Sequence, residues 1–346
     1  YIVVENCLSG RVPLPRSSMR PGPSGYAFLA AVNQPLVDER SRRAFDRIYR
    51  RFIERDEPLA GMTHTTKMLI MRESLNSEIN ALSHALDRLG ERNRHYRDFT
   101  LNGLRTALQE VIACLPVYRT YINAHTGEVS ARDRRLIQTA VRRAKVRRPG
   151  IDDSLFDYIE DTLLLRNHSR FSAEDRTQLA VWVMRFQQLT GPVMAKGVED
   201  TAFYRYYRLT SLNEVGNHPA VFGISVDEFH KENSERLQYW PHAMLATSTH
   251  DNKRSEDVRA RIAVLSEMPD AWSKALTRWA RINAAKRAAL DDEGAAPDRN
   301  DEYLIYQTLL GTWPLNAAAT LPTTLSSAGQ AAGWGLLQAP AAGEAW

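Results

Sequence analysis

The sequence predicts an α/β chain of barrel type with a large helical insertion. Three short apolar runs, at residues 1–4, 191–195 and 244–246, each break at once into polar or charged side chains. Between the first two, apolar residues recur at spacings of three and four, the stripe of amphipathic helices. A strand that delivers polar groups immediately before a helix is how a (β/α) barrel arms its C-terminal rim.

The first run, Tyr1-Ile2-Val3-Val4, ends on Glu5. A carboxylate there is placed either as a rim residue or as an exposed loop acid. Residues 9–24 contain Pro13, Pro15, Pro21 and Pro23 and read as a loop, after which Gly25-Tyr26-Ala27-Phe28-Leu29 turns apolar again. Phe45, Ile48, Tyr49 and Phe52 define one face of a helix near 42–56. Met68, Met71, Leu75, Ile79, Leu82, Leu86 and Leu89 define one long helix. Asp98 is placed to cap a third, with Leu101, Leu104, Leu108, Val111 and Leu115 inward and Pro116 ending it. Ser130 opens a fourth, and Ser172 with Asp175 opens a fifth that buries Leu179, Trp182, Val183 and Phe186. Further helices fit 226–239, 256–266, 270–290 and 301–311.

Four segments follow. Residues 1–41 hold a first strand and loop, 42–190 a helical insert, and 191–315 two further strands with their helices. The last, 316–346, is a divergent tail. From Ala317 onward the chain is mostly Ala, Gly, Pro, Thr and Ser, with Glu344 its only charge, so poor order is expected.

Composition narrows the function. Over 346 residues, 43% are apolar and 25% charged, as in ordinary globular chains. No apolar run approaches the roughly 20 residues that span a bilayer. The N-terminus lacks the features of a secretory signal, and without an initiator Met the chain reads as cut from something longer. Cys7 and Cys114 stand far apart with no metal-site spacing, which predicts a reducing, cytoplasmic setting and neither metal nor cofactor. The net charge of +4 is too balanced to imply nucleic acid. The basic helix near 131–148 has no interleaved aromatics and reads as a solvated face. Neither nucleic acid nor membrane is an expected partner.

The chemistry concentrates in two clusters. Lys196-Gly197-Val198-Glu199-Asp200-Thr201 leads into Tyr204, Arg205, Tyr206 and Tyr207. Thr249-His250-Asp251-Asn252-Lys253-Arg254 precedes a helix. Between them, Ser211-Leu212-Asn213-Glu214-Val215-Gly216 offers side chains suited to hydroxyl-rich ligands. Carboxylates converging on a cleft with aromatics suit glycosidic chemistry, in which one acid protonates the leaving oxygen and another supports the sugar cation. Tyr204, Tyr206 and Trp240 are candidates to stack on sugar rings. Two other readings compete: a non-catalytic helical piece that keeps some sugar-binding surface, and a metal phosphohydrolase built on His250-Asp251. The latter lacks further ligands, since His218, His230 and His242 are each isolated.

Three stretches, 196–205, 211–216 and 248–261, resemble maltooligosyl trehalose synthase, a member of the alpha-amylase superfamily. So do Val4-Glu5, Gly25-Tyr26, Pro116-Val-Tyr-Arg-Thr-Tyr121, Arg185-Phe-Gln-Gln-Leu189 and Tyr303-Leu-Ile-Tyr-Gln-Thr-Leu-Leu-Gly311. The resemblance covers about residues 1–315. It implies an incomplete (β/α)8 TIM barrel, about strands five to seven, with a helical insert. The implied reaction converts the reducing-end α-1,4 bond of a maltooligosaccharide to an α,α-1,1 bond, by retaining intramolecular transglycosylation in trehalose biosynthesis. The resemblance makes Glu5 the general acid/base, Asp251 the transition-state stabiliser and His250 a sugar-hydroxyl partner. Lys196, Glu199, Asp200, Tyr204, Arg205, Lys253 and Arg254 would shape the subsites. The family's nucleophilic Asp lies on the fourth strand, before Tyr1, so these 346 residues alone are expected to be inactive.

Overall fold

Amphipathic stripes bury themselves by packing on one another, and among the described residues they form two large cores and a small cluster of Met194, Val198 and Phe203. The computed structural model describes residues 25–92, 96–166, 172–290 and 294–314. The helices are α1 (Tyr26–Asn33), α2 (Arg42–Ile53), α3 (Leu59–Glu73), α4 (Asn76–Glu91), α5 (Leu101–Cys114), α6 (Ala131–Arg147), α7 (Asp153–Leu163), α8 (Ala173–Met194), α9 (Val226–Tyr239), α10 (Glu256–Ala263), α11 (Pro269–Asn283) and α12 (Arg299–Thr312). The paired strands among the described residues are β1 (Ala288–Leu290) and β2 (Gly294–Ala296), a short antiparallel hairpin.

The first core joins α3 to α8. Met71, Leu86, Leu108, Ile137, Phe156 and Phe186 meet there, all fully buried. Three large polar side chains inside it, Trp182, Tyr158 and Gln187, find partners there, as burial demands. The Trp182 indole donates to the Leu82 carbonyl at 2.9 Å, and the Tyr158 hydroxyl to the Leu86 carbonyl at 3.0 Å. The buried Gln187 amide accepts from Ile122 N at 2.7 Å and donates to Ile122 O at 3.0 Å, fastening the 116–124 segment as a neighbouring strand would.

The second core joins α2, α10, α11 and α12 to the irregular segment 202–222, with Phe45, Tyr49, Leu212, Trp272 and Tyr303 inside. Gln307 donates to Tyr207 O at 2.7 Å and accepts from Thr210 N at 2.9 Å. Tyr49 accepts from Tyr207 N at 3.0 Å and donates to Asn300 at 2.7 Å. Side chains thus replace the ladder that a strand at 206–210 would have had.

Several expectations are corrected. The run 191–195 is not a strand. It closes α8, with Pro192 inside the helix, and Ala195–Glu199 follow as a π-helical turn. Wide turns of this kind gather at functional sites. The run 244–246 is in no strand either, and it is not buried: Met244 and Leu245 are 57% and 59% exposed, with no paired neighbour among the described residues. The long helix through Met68 and Leu89 is two, broken at Ser74–Leu75, where both amides turn back to Ile70 O. Both pieces face the same core, so the apolar spacing runs on across the break. Thr100, not Asp98, caps α5, accepting from Gly103 N at 3.2 Å. α1 and α7 were not anticipated, and the helix expected through 290 ends at Asn283. Ser130 and Ser172 cap α6 and α8 as predicted, accepting from Asp133 N and Asp175 N. Glu5, the run at 1–4 and the tail at 317–346 lie outside the described residues. Among the described residues no helix is long and apolar enough to cross a membrane.

The π-helical turn rests directly on α3. A Cβ on Gly197 would lie 2.9 Å from the Lys67 Cα, a backbone atom with nowhere to go. Gly191, inside α8, has open space around it. Gly197→Ala should therefore destabilise the chain by about 1–3 kcal/mol. Gly191→Ala should stabilise it by roughly 0.5–1 kcal/mol. Urea unfolding midpoints of the two variants check the opposite signs.

Candidate active site

The two polar clusters come together where the π-helical turn meets the loop before α10. Lys196 Nζ lies 2.7 Å from Asp200 Oδ2, and Lys253 Nζ lies 3.2 Å from Asp200 Oδ1, so one carboxylate bridges two ammonium groups from distant sequence. Lys253 also sits over the Tyr204 ring, 5.3 Å from its centroid. The tyrosine is 55% exposed and presents its other surface outward. Burial works against the Asp200 anion, but the bonds from Lys196 and Lys253 outweigh it and hold the carboxyl below its ordinary value. Lys196 is pushed up by its bond to Asp200, with a further contribution from the Asp251 charge. Asp251 acts on Lys253 in the same direction. The result is a patch of alternating charge, in which Lys196, Asp200 and Asp251 reach the surface and the Lys253 side chain lies largely covered between them.

His250 and Asp251 occupy the exposed apex of a turn. Thr249 N and Oγ1 donate to Asn252 Oδ1 at 2.6 and 3.1 Å, which closes the turn beneath them. Arg254 is half-buried below, and its backbone N–H donates to Glu214. Arg205 is exposed, its carbonyl held by Asn300.

Glu199 is not at the surface. It is 5% exposed, and its Oε1 accepts from the Tyr118 hydroxyl and from Gly216 N at 3.0 Å. Gly216 has φ +77°, and a Cβ there would press on Tyr26 at 3.1 Å, so glycine suits both the turn and the contact. Burial raises the Glu199 carboxyl above its usual range despite these two bonds.

Structure and sequence part company at three points. Tyr206 is 8% exposed and packs edge-on against Tyr49 at 5.3 Å, so it cannot stack on a sugar. The loop 211–216 does not face a ligand: Ser211, Asn213 and Glu214 are at most 1% exposed. Asn213 instead donates to Phe203 O and Tyr206 O at 3.1 and 2.5 Å. Tyr118 and Glu214 are the contributors that reading by motif passed over. The only signal for them was polar residues set among apolar ones in stretches quoted for other reasons.

One group among the described residues has metal-ligand chemistry, and it is not His250-Asp251. His64, Glu110 and Cys114 place ligand atoms within 4.8 Å of one another. Spacing had left Cys114 without partners, because they come from α3 and from one turn earlier on α5. The Glu110 oxygens are already engaged by His64 Nε2 at 2.7 Å and by Arg148 Nε at 2.5 Å. Arg148 therefore ties the end of the basic helix α6 to α5, and Lys145 ties α6 to Asp157 of α7 at 2.8 Å.

Comparison with known proteins bears on this geometry. No protein-family model matches the chain. The structure of maltooligosyltrehalose synthase from Arthrobacter ramosus superimposes with a TM-score of 0.70 and 32% identity, over 90% of this chain and 35% of that one. In sequence and in fold, the chain resembles the maltooligosyl trehalose synthases. A Sulfolobus tokodaii protein described as a hypothetical maltooligosyl trehalose synthase agrees, with a TM-score of 0.65 and 29% identity over 91% of this chain and 36% of that one. A curated Mycobacterium tuberculosis H37Rv protein named "Putative maltooligosyl trehalose synthase" is 46% identical over 133 residues, 38% of this chain and 16% of the relative. The chain thus spans about a sixth of the curated synthases it matches and about a third of the solved ones.

The raised Glu199 carboxyl has a direction that can be measured. A group whose folded value is raised contributes stability that is complete below its unfolded value, here near 4.5, and lost as pH rises through the folded value. Glu199→Gln keeps an oxygen for Tyr118 and Gly216 but carries no charge. At about pH 8 the variant should be as stable as the parent or more so. As pH falls towards 4.5 the parent should gain on it. Urea unfolding at several pH values gives the comparison.

Proposed function

We propose that this chain supplies the reducing-end side of a glucan-isomerising active site. It would act within a maltooligosyl trehalose synthase that turns the terminal α-1,4 bond of a maltooligosaccharide into an α,α-1,1 bond. The observation that carries the reading is the bridged pair Lys196–Asp200–Lys253 beside Asp251, in a chain that resembles the synthases over nine-tenths of its length. In this reading the His250–Asp251 turn lies at the rim of the synthase's (β/α)8 barrel. A helical unit built on α3–α8 buttresses a site-bearing unit built on α2 and α10–α12.

The chemistry follows from charge. Retaining transfer passes through a sugar cation on the way into and out of a glycosyl-enzyme. Glu5 would give a proton to the leaving oxygen and later take one from the attacking hydroxyl. Asp251, exposed and with its carboxylate free of hydrogen bonds among the described residues, would face the developing cation. Lys196 and Lys253, aligned by Asp200, would donate to hydroxyls of the released glucose, and Tyr204 would offer it a ring surface. Holding that glucose while it turns over separates isomerisation from hydrolysis, because reattack by a positioned acceptor outruns attack by water.

A complete synthase carrying this segment in place of its own should form trehalose-ended products from maltopentaose. Absence of product from a folded chimera overturns the reading. In the active chimera, Asp251→Asn removes charge without changing size and should lower kcat by on the order of 10²–10³-fold, with KM little changed. Lys196→Ala should act on partition instead: free glucose rises relative to the trehalose-ended product, measured by chromatography of the reaction mixture. An unchanged ratio with both rates falling would remove Lys196 from the acceptor subsite.

A further inference from the structure

We infer that Glu214 is a positioning residue that aims the His250–Asp251 turn, acting from beneath it without touching substrate. The inference rests on the proposed role of Asp251. Glu214 is fully buried, and both its oxygens are spent on a single segment. Oε2 accepts from Asn252 Nδ2 at 2.8 Å and from Lys253 N at 2.9 Å, and Oε1 accepts from Arg254 N at 2.8 Å. Three consecutive residues therefore converge on one carboxylate from a loop 38 to 40 positions earlier.

The link to the apex runs through Asn252. Its amide nitrogen is held by Glu214, so its amide oxygen points at Thr249, where it takes both the backbone N–H and the hydroxyl. The Thr249 hydroxyl in turn accepts from Asp251 N at 3.3 Å. His250 and Asp251 thus ride on a turn whose closure depends on the orientation of one amide, and Glu214 sets that orientation. The same carboxylate orders Lys253 on the far side of the turn, whose ammonium reaches Asp200. Arg254 and Arg259 feel the Glu214 charge through the protein. Arg259 also donates to Arg254 O at 2.6 Å and to Thr247 O, bracketing the turn at its two ends. A buried anion that takes three donors from one segment is costly to misalign, because each donor left unpaired loses its solvation as well as its bond.

Glu214→Gln keeps the shape but turns one acceptor oxygen into an N–H₂ that faces donors. Asn252→Ala, at a half-buried position, cuts the relay and leaves the buried carboxylate its two backbone donors, Lys253 N and Arg254 N. In the 346-residue chain, hydrogen exchange of the Lys253 and Arg254 amides should accelerate at least tenfold in Glu214→Gln, while the α3–α8 amides keep their protection. In the active chimera, both variants should lower kcat about ten- to a hundredfold with KM within about twofold. Added to Asp251→Asn, either should cost less than about twofold more, since the group being aimed is gone. A purely structural role would multiply the losses instead. Multiplying losses, or unaltered exchange at 253–254, overturns the inference. Failure of the parent reading looks different: the chimera makes no product, or Asp251→Asn turns over normally, whatever the amides do. The inference about catalysis then falls with it.

Discussion

Two buried carboxylates, Glu199 and Glu214, hold the constraint on which the site depends. A carboxylate inside a protein must be given donors or lose its charge. Glu214 is given three, all from 252–254, and Glu199 is given two, from Tyr118 and Gly216. The loop 211–216 takes part in both. Its acid anchors the turn that carries His250 and Asp251, and its last amide anchors the end of the π-helical turn that carries Lys196 and Asp200. Two stretches some fifty residues apart are brought into register because the loop between them is buried, with the Glu214 carboxylate committed to one and the Gly216 amide to the other.

The two hydrophobic cores stand on either side of this junction. The core built from α3 to α8 presents the end of α8, and the wide turn after it follows from where that helix stops. The core around Tyr49, Trp272 and Tyr303 presents the 202–222 segment with its carbonyls and amides satisfied by Gln307, Tyr49 and Arg208. Gly197 against Lys67 is the tightest point between the wide turn and the helices behind it. The burial of Lys67, whose Nζ donates to Leu115 O at 2.8 Å and whose ammonium is pushed down to about 8, shows how closely that boundary is packed.

Much of the helical fold was legible. The stripes through Leu82, Leu108 and Phe186, and the caps Ser130 and Ser172, are local signals, and local signals survive folding. The break at Ser74–Leu75 was not legible, because both halves serve one core and carry no Gly or Pro between them. The strands expected at 191–195 and 244–246 failed for a related reason. A short apolar run fits a strand or the end of a helix equally well, and only its neighbours decide. For 191–195 the neighbours are the preceding turns of α8, and for 244–246 no strand pairs with the run among the described residues.

The sequence by itself singled out the residues proposed to carry the chemistry: residue type and the resemblance of their motifs point to Lys196, Asp200, Lys253 and Asp251. Tertiary structure alone decided which polar residues are tools and which are scaffold. Tyr206, Ser211 and Asn213 read as ligand groups until burial turned them into packing and hydrogen-bond partners. Glu214 read as one polar residue among several until its two oxygens were found holding the turn below Asp251. Burial and hydrogen-bond pairing are properties of contacts between distant segments, and no spacing along the chain encodes them.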